Sequence, residues 1–197
     1  MFFIPIFFSD TFAQQEKVAF MFVKKTMEEL ERLSNEEMQA AEKQPVIIIL
    51  DDIRSMHNVG SAFRTCDAFT IQALYLCGYT PQPPHRDIHK TALGATETVN
   101  WQYFPTTIAA VEAAKENGYK IVAVEQAHDS VMLNNYRIEN NEKIALVFGN
   151  EVSGVSEDVM QQADDCIEIP QWGSKHSLNI SVSLGVVLWE IMRDRKS

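Results

Sequence analysis

Ile169-Pro-Gln-Trp-Gly-Ser-Lys-His-Ser-Leu-Asn-Ile-Ser-Val-Ser183 is the stretch on which the reading of this chain turns. It reads as the end of a short strand, a glycine turn and then a helix opened by small polar residues. Ser177 and Asn179 stand where that helix begins. A helix start presents unpaired backbone N–H groups and a partial positive charge, so polar ligands settle there readily. Working outward, two further elements of the same kind appear. Asp51-Asp-Ile-Arg-Ser-Met-His-Asn-Val-Gly-Ser-Ala-Phe-Arg-Thr65 follows one apolar run, and Phe148-Gly-Asn-Glu-Val-Ser-Gly154 follows another. Three polar, glycine-bearing strand ends in one small chain point to one composite site.

The segments between them set the fold class. Val46-Ile-Ile-Ile-Leu50 is a continuous β-branched run, as expected of a strand covered on both faces. Ile71–Cys77, Trp101–Phe104, Tyr119–Val124, Lys143–Phe148 and Cys166–Ile169 are further candidate strands. Val59, Ala62, Phe63 and Cys66 give Asn58–Phe69 helical spacing. Thr106–Asn117 reads as a helix with Gly118 just past its end, and Ser156 as an N-cap followed by Glu157 and Asp158. Leu178–Arg193 reads as a helix that is apolar nearly all round, hence buried in its own core or against a second subunit. Lys25–Lys43 reads as a charged surface helix stopped by Pro45. Gly78–Arg86 reads as a proline-rich loop that holds His85 and Arg86 and carries on through His89 and Lys90. This alternation predicts an α/β fold with a mostly parallel sheet, helices on both faces, and ligands bound beyond the carboxyl ends of the strands.

The formal charge is −10, from 17 basic and 27 acidic side chains, which counts against a generally basic nucleic-acid coat. The acids are unevenly spread: residues 112–168 hold 12 of them against 4 Lys or Arg. His57, His85, His89 and His176 lie in or near the polar motifs, with Arg54, Arg64, Arg86, Lys90 and Lys175. A basic cleft on an acidic body fits this distribution, and so does an acidic surface with scattered cations. Cys66, Cys77 and Cys166 lack CxxC spacing, so neither a zinc site nor a disulfide framework is implied, and reduced thiols suit a cytoplasmic protein. No metal is expected. Met1-Phe-Phe-Ile-Pro-Ile-Phe-Phe8 lacks a basic n-region and is too short to span a membrane. Residues 1–20 are read as a possible mis-called start, with Met21 or Met27 as the natural one. Residues 1–45 are then an N-terminal extension with a surface helix, and 46–197 the main domain.

Gly149–Gly154 has the spacing of a phosphate loop, but Val155 and Ser156 stand where the lysine and hydroxyl should follow. No Rossmann fingerprint follows any strand, and no G-x-S-x-G elbow is present. Taken singly, each of the three motifs is explained by an ordinary turn or helix cap. Taken together, in this order, they resemble the SpoU (TrmH-type) family of RNA 2′-O-ribose methyltransferases, within the SPOUT superfamily. Asn58, Gly60 and Arg64 match the first family motif, N-x-G-x-x-x-R. Gly149-Asn-Glu151 with Gly154 matches the second. Ile169-Pro170, Gly173 and Ser177-Leu-Asn-Ile-Ser181 match the third. The resemblance runs from Val46 to the end, about three quarters of the chain.

The resemblance implies an α/β domain with a C-terminal trefoil knot, a homodimer whose site is completed across the interface, and S-adenosylmethionine as cofactor. It implies that Phe148, Gly149, Asn150, Ile169, Leu178 and Asn179 line the cofactor pocket. It makes Arg64 the central catalytic residue. Asn58 would position Arg64 or the ribose, Glu151 would orient Arg64 or a backbone group, and Ser177 and Asn179 would hold the site. Arginine is a poor base, so Arg64 is expected to steady a phosphate oxygen or a developing alkoxide, and the proton acceptor stays open. The implied substrate is RNA, tRNA ahead of rRNA, with Arg54, His57, Arg86 and Lys90 as candidate phosphate contacts; a solvated loop explains the same residues. The expectation is that the chain departs from larger relatives in lacking a separate RNA-binding domain. Two rivals remain: a non-catalytic RNA-binding or assembly factor that kept the fold, and a base methyltransferase of the same superfamily. The intact motif residues speak against the first, and N-x-G-x-x-x-R against the second.

Overall fold

The computed structural model describes residues 22–26, 28–175 and 177–195. The expectations placed on residues 1–20, Met21, Met27 and His176 lie outside them. The chain divides into two compact units, Met1–Arg32 and Leu33–Ser197. In the first, the described residues form a turn at 28–31, where the Glu29 carboxylate accepts the Thr26 N–H at 2.6 Å and the Thr26 hydroxyl accepts the Glu29 N–H at 3.3 Å.

The second unit opens with α1 (Asn35–Ala40), then β1 (Gln44–Asp51), α2 (Met56–Ala68), β2 (Ile71–Cys77), α3 (Arg86–Ala92), β3 (Trp101–Phe104), α4 (Thr107–Glu116), β4 (Lys120–Val124) and β5 (Val131–Met132). A 3-10 turn (Leu133–Asn135) leads into β6 (Ile144–Phe148), α5 (Glu157–Met160), β7 (Asp165–Glu168) and α6 (Ile180–Arg195). The strands form one sheet in the order β3-β2-β1-β6-β4-β7-β5, with every pairing parallel. All carboxyl ends therefore lie along one edge.

The β-branched run of β1 explains its central place. Val46, Ile48 and Leu50 pack into a core shared with Val59 and Phe63 of α2, Ile88 of α3 and Leu184 and Leu188 of α6. Ile47 and Ile49 point the other way, into a core with Ala110, Val111 and Ala114 of α4 and Val159 of α5. Helices thus cover both faces, as the alternation implied. No described helix is long and apolar enough to cross a membrane.

Two expectations are corrected. The helix over Lys25–Lys43 shrinks to α1: Ser34 is extended and forms a capping box with Glu37, Glu31 has a positive φ of 43°, and Ala41 is extended. The charged flanks have few apolar side chains to bury, and propensity alone does not hold an isolated helix in water. Next, the run after the proline loop is not loop but helix α3, capped by the His85 side chain accepting the Asp87 N–H at 3.2 Å. The helix expected to be buried in its own core or against a second subunit is α6, and within the chain one face of it is buried. Leu184, Val187, Leu188, Ile191 and Met192 enter the core, whereas Val182, Val186 and Trp189 face outward, Trp189 with 63 % of its surface exposed.

Candidate active site

The site is assembled where β1, β6, β4 and β7 end. Asp51, the last residue of β1, is buried with its carboxylate bonded on both oxygens. One oxygen accepts the Thr107 hydroxyl at the start of α4, and the other accepts the Ser156 N–H at 2.9 Å. A buried carboxylate requires such partners, and these fix the loop after β6 against the end of β1. Four residues beyond Asp51, the Ser55 hydroxyl accepts the Asn58 N–H at 3.3 Å and starts α2. That places Asn58 in the first turn, buried and facing the neighbouring strand ends.

Asn58 is the hub of the arrangement. Its amide nitrogen donates to Glu151 Oε1 at 2.6 Å. Its carbonyl oxygen accepts from Asn179 Nδ2 at 3.2 Å and from the Ser181 hydroxyl at 3.3 Å. Asn179 also caps α6: its side-chain oxygen accepts the Ser181 N–H at 2.9 Å, and its carbonyl accepts the Val182 and Ser183 N–H groups. Residues of all three sequence motifs therefore meet at a single amide, whose donor and acceptor sides are both used.

Beside this hub is a cavity of about 490 Å³, within the range of small-molecule sites. Phe148, Gly149, Asn150, Ile169, Leu178 and Asn179 all line it, together with Glu151 and Ser177. Its walls combine apolar groups (Phe148, Ile169, Leu178, Ile180) with the polar ends of Asn150, Gln171 and Ser183. The loop over it is a tight reversal in which the Asn150 side-chain oxygen accepts the Val152 and Ser153 N–H groups, each at 2.9 Å. Gly154 closes the reversal with φ +68°, a conformation L side chains resist, and a Cβ there would lie 2.1 Å from Glu125 Oε2.

Sequence reading missed Glu125 and gave no role to Ser181. Glu125 lies just past β4 and lines the cavity. Its carboxylate accepts the Val155 N–H at 2.9 Å and the Gln126 N–H at 2.8 Å, so it clamps the loop carrying Glu151. Its position after a strand was the one available signal. Gly60 belongs to the helix expected over Asn58–Phe69. It lies inside α2, where a Cβ would fall 2.0 Å from Thr91 Oγ1 and 2.4 Å from the Ile88 carbonyl oxygen. Its bareness lets α2 and α3 touch.

Arg64 is not brought to the hub. It is exposed on the last turns of α2, and neither Asn58 nor Glu151 orients it: Glu151 accepts from Asn58 instead. Six residues along a helix carry a side chain well off the Asn58 face. Arg54, His57, Arg86 and Lys90 are all exposed. The Thr91 hydroxyl donates to the His57 carbonyl at 3.1 Å, tying the start of α2 to α3. Lys90 pairs with Asp87 at 3.0 Å, so part of its charge is answered within the chain. That bond, with His57 and His85 nearby, holds the Asp87 carboxyl below its ordinary range. Among the described residues no group of three or more His, Cys, Asp or Glu is placed to hold a metal ion.

A parallel sheet with a ligand-sized cavity where its carboxyl-end loops converge defines an α/β protein that works on a small polar ligand at its strand ends. The family described as SpoU rRNA Methylase matches residues 45–189, and the chain belongs to that family. Among curated relatives, a 23S rRNA (guanosine-2′-O-)-methyltransferase RlmB of Vibrio cholerae is 32% identical over 162 residues, covering 81% of this chain and 64% of that enzyme. A tRNA (guanosine(18)-2′-O)-methyltransferase of Aquifex aeolicus is 32% identical over 153 residues, 77% of this chain and 70% of the relative. The chain thus spans about two thirds of the length of these relatives. Among solved structures, the A. aeolicus TrmH/SpoU tRNA modifying enzyme superposes with a TM-score of 0.71 at 28% identity, over 82% of this chain and 80% of its own. An AdoMet-bound rRNA methyltransferase from Sinorhizobium meliloti superposes with a TM-score of 0.70 at 25% identity, over 79% of this chain and 59% of its own.

Proposed function

We propose that this chain transfers a methyl group from S-adenosylmethionine to a ribose 2′-hydroxyl in RNA, with tRNA ahead of rRNA as the substrate. The observation that carries the reading is the junction of Asn58, Glu151 and Asn179 on the wall of one ligand-sized cavity. The relatives' activities support ribose over base as the acceptor. The fuller mutual coverage with the A. aeolicus tRNA enzyme supports tRNA.

The residues present fit the cofactor. Phe148, Ile169 and Leu178 offer apolar walls for an adenine, and Asn150, Ser177 and Asn179 offer polar groups for a sugar and an amino-acid end. When bound, S-adenosylmethionine supplies an electrophilic methyl on sulfur; the chain supplies orientation and charge. Asn58 and Glu151 hold the two loops at the spacing the reaction needs. Arg64, exposed and turned away from the hub of its own chain, steadies an RNA phosphate or the forming alkoxide at a site completed across the dimer interface. Arg54, His57, Arg86 and Lys90 contact phosphates.

The homodimer belongs to the same proposal. Val186 and Trp189 of α6 join Trp172 and Met132 around an apolar recess of about 720 Å³, Trp172 with 93 % of its surface exposed. An apolar patch of this kind marks an interaction face. A second copy seated there would bring a partner's surface close to the site. The trefoil knot is proposed for the segment from β6 to α6, supported by residues 149–154 lining one cavity together with Ile169, Gln171, Ser177, Leu178 and Asn179. The cytoplasm is the proposed compartment, supported by free Cys66, Cys77 and Cys166.

The test is Arg64→Ala. Calorimetry should show unchanged affinity for S-adenosylmethionine, while transfer of tritiated methyl to RNA falls by at least about a hundredfold. Unchanged turnover would remove Arg64 from the chemistry. Cofactor binding by the unaltered protein without transfer to tRNA or rRNA would favour the non-catalytic factor.

A further inference from the structure

Tyr79 stands out on the carboxyl edge of the sheet: 81 % of its surface is exposed, yet the backbone beneath it is tightly held. Its N–H donates to Asp52 Oδ1 at 2.8 Å. On one side, the Gly78 N–H donates to the Phe104 carbonyl at 3.0 Å, and the Gly78 carbonyl accepts the Tyr103 hydroxyl at 3.2 Å. On the other, Thr80 is buried, its hydroxyl donating to the Leu50 carbonyl at 3.2 Å and accepting the Ile53 N–H at 3.0 Å. The loop after β2 is thus stitched to the loop after β1, which runs on through Arg54 to Asn58. A flexible loop would let an aromatic ring fold down onto the surface. This loop fixes the Cα and leaves the ring in water.

The surroundings select the partner. Arg54 follows Ile53, and Arg86, His85 and His89 follow the proline loop that begins beside Tyr79. Asp52 is engaged with the Tyr79 backbone and Asp87 with Lys90, so the acids nearby are partly answered. A rigid, exposed ring among cations suits a nucleobase joined to phosphates: every base offers a flat face, and the cations take the backbone. In the strand order, β2 is separated from β6 by β1 alone. Two strand spacings, roughly 10 Å, therefore lie between Tyr79 and the cavity wall. That span suits a nucleotide adjoining one whose ribose is at the cavity.

We propose that Tyr79 is a stacking post for an unpaired base next to the methylated nucleotide, so that the enzyme selects single-stranded or looped RNA over duplex. The proposal rests on the RNA methyltransferase reading. A duplex keeps its bases stacked on each other and offers the ring no face.

The experiment compares the unaltered protein with Tyr79→Ala and Tyr79→Trp. The probes are a twelve-nucleotide oligoadenylate and the same strand annealed to oligouridylate, with S-adenosylmethionine affinity measured in parallel as a check on folding. The alanine variant should lose about tenfold in affinity for the single strand, keep its duplex affinity, and keep its cofactor affinity. The tryptophan variant should bind the single strand at least as well as the original. Equal loss for both probes, or no loss, would overturn the stacking role while leaving the RNA reading intact. An unaltered protein that binds neither probe in a salt-dependent way would overturn both. A change of sedimentation in the alanine variant would assign Tyr79 to a contact between copies of the chain and overturn the proposal.

Discussion

Asn58 and Glu151, 93 positions apart, share a hydrogen bond of 2.6 Å between amide nitrogen and carboxylate oxygen. The first motif is thereby latched to the second, and the other end of the same amide takes Asn179 and Ser181 from the third. Asn58→Asp keeps the size but sets a carboxylate against a carboxylate. Two carboxyls at that spacing favour holding one proton between them, which raises the pair's folded-state affinity for protons above the unfolded value. The contribution is then more favourable below the unfolded pKa, near 4, and is lost as pH rises. Thermal melts of the variant should therefore show a deficit at pH 8 that narrows toward pH 5. A deficit constant across that range would contradict the latch.

Gly60 sets the approach of α2 to α3. A Cβ there meets the Ile88 carbonyl as well as the Thr91 hydroxyl, and a backbone oxygen cannot rotate away. Gly60→Ala should cost about 1–3 kcal/mol through overpacking, read as a lowered denaturant midpoint at constant m-value. Stability equal to the parent would mean the helices separate without penalty.

Glu125 holds the loop above the cavity through the Val155 N–H, its other oxygen accepting the N–H of its own neighbour Gln126. Glu125→Ala should weaken calorimetric binding of S-adenosylhomocysteine by about tenfold, since an ordered loop becomes one that binding must order. The secondary structure should be unchanged by circular dichroism. Intact affinity would show that the loop holds its shape without the clamp.

Trp189 lies at the centre of the outward face of α6. Trp189→Glu should leave the fold intact, because the side chain is mostly exposed, but should convert a dimer at micromolar concentration into a monomer in sedimentation. A parent protein that is itself monomeric would refute the assignment of this face.

The sheet was legible because burial on both faces leaves a compositional mark: the runs at Val46–Leu50 and Ile144–Phe148 contain no charged residue, and each became a central strand. The two-residue β5 is too short to leave any such mark. Helix α3 was hidden by the prolines before it and by having only Ile88 and Ala92 buried. The false helix over Lys25–Lys43 arose from the reverse situation, helix-forming side chains with little core to join. At the site, the motif residues were readable as a set, but their wiring was not. Glu151 was expected to orient Arg64 or a backbone group; its bond goes to the Asn58 side chain, because the first turn of α2 faces the loop and the last turns do not. Glu125 carries no motif; only the tertiary course of the loop after β6 gives its carboxylate something to hold.

Asn58's partners sit 93, 121 and 123 positions further along the chain. Contacts that distant form late, since the intervening polymer must be ordered before they yield any stabilisation. Half-assembled species can therefore regain most of their helical signal while remaining inert, and recovered turnover during renaturation should lag ellipticity. Integrity of the candidate site in this protein clocks the completion of the entire sheet rather than the arrival of any one segment.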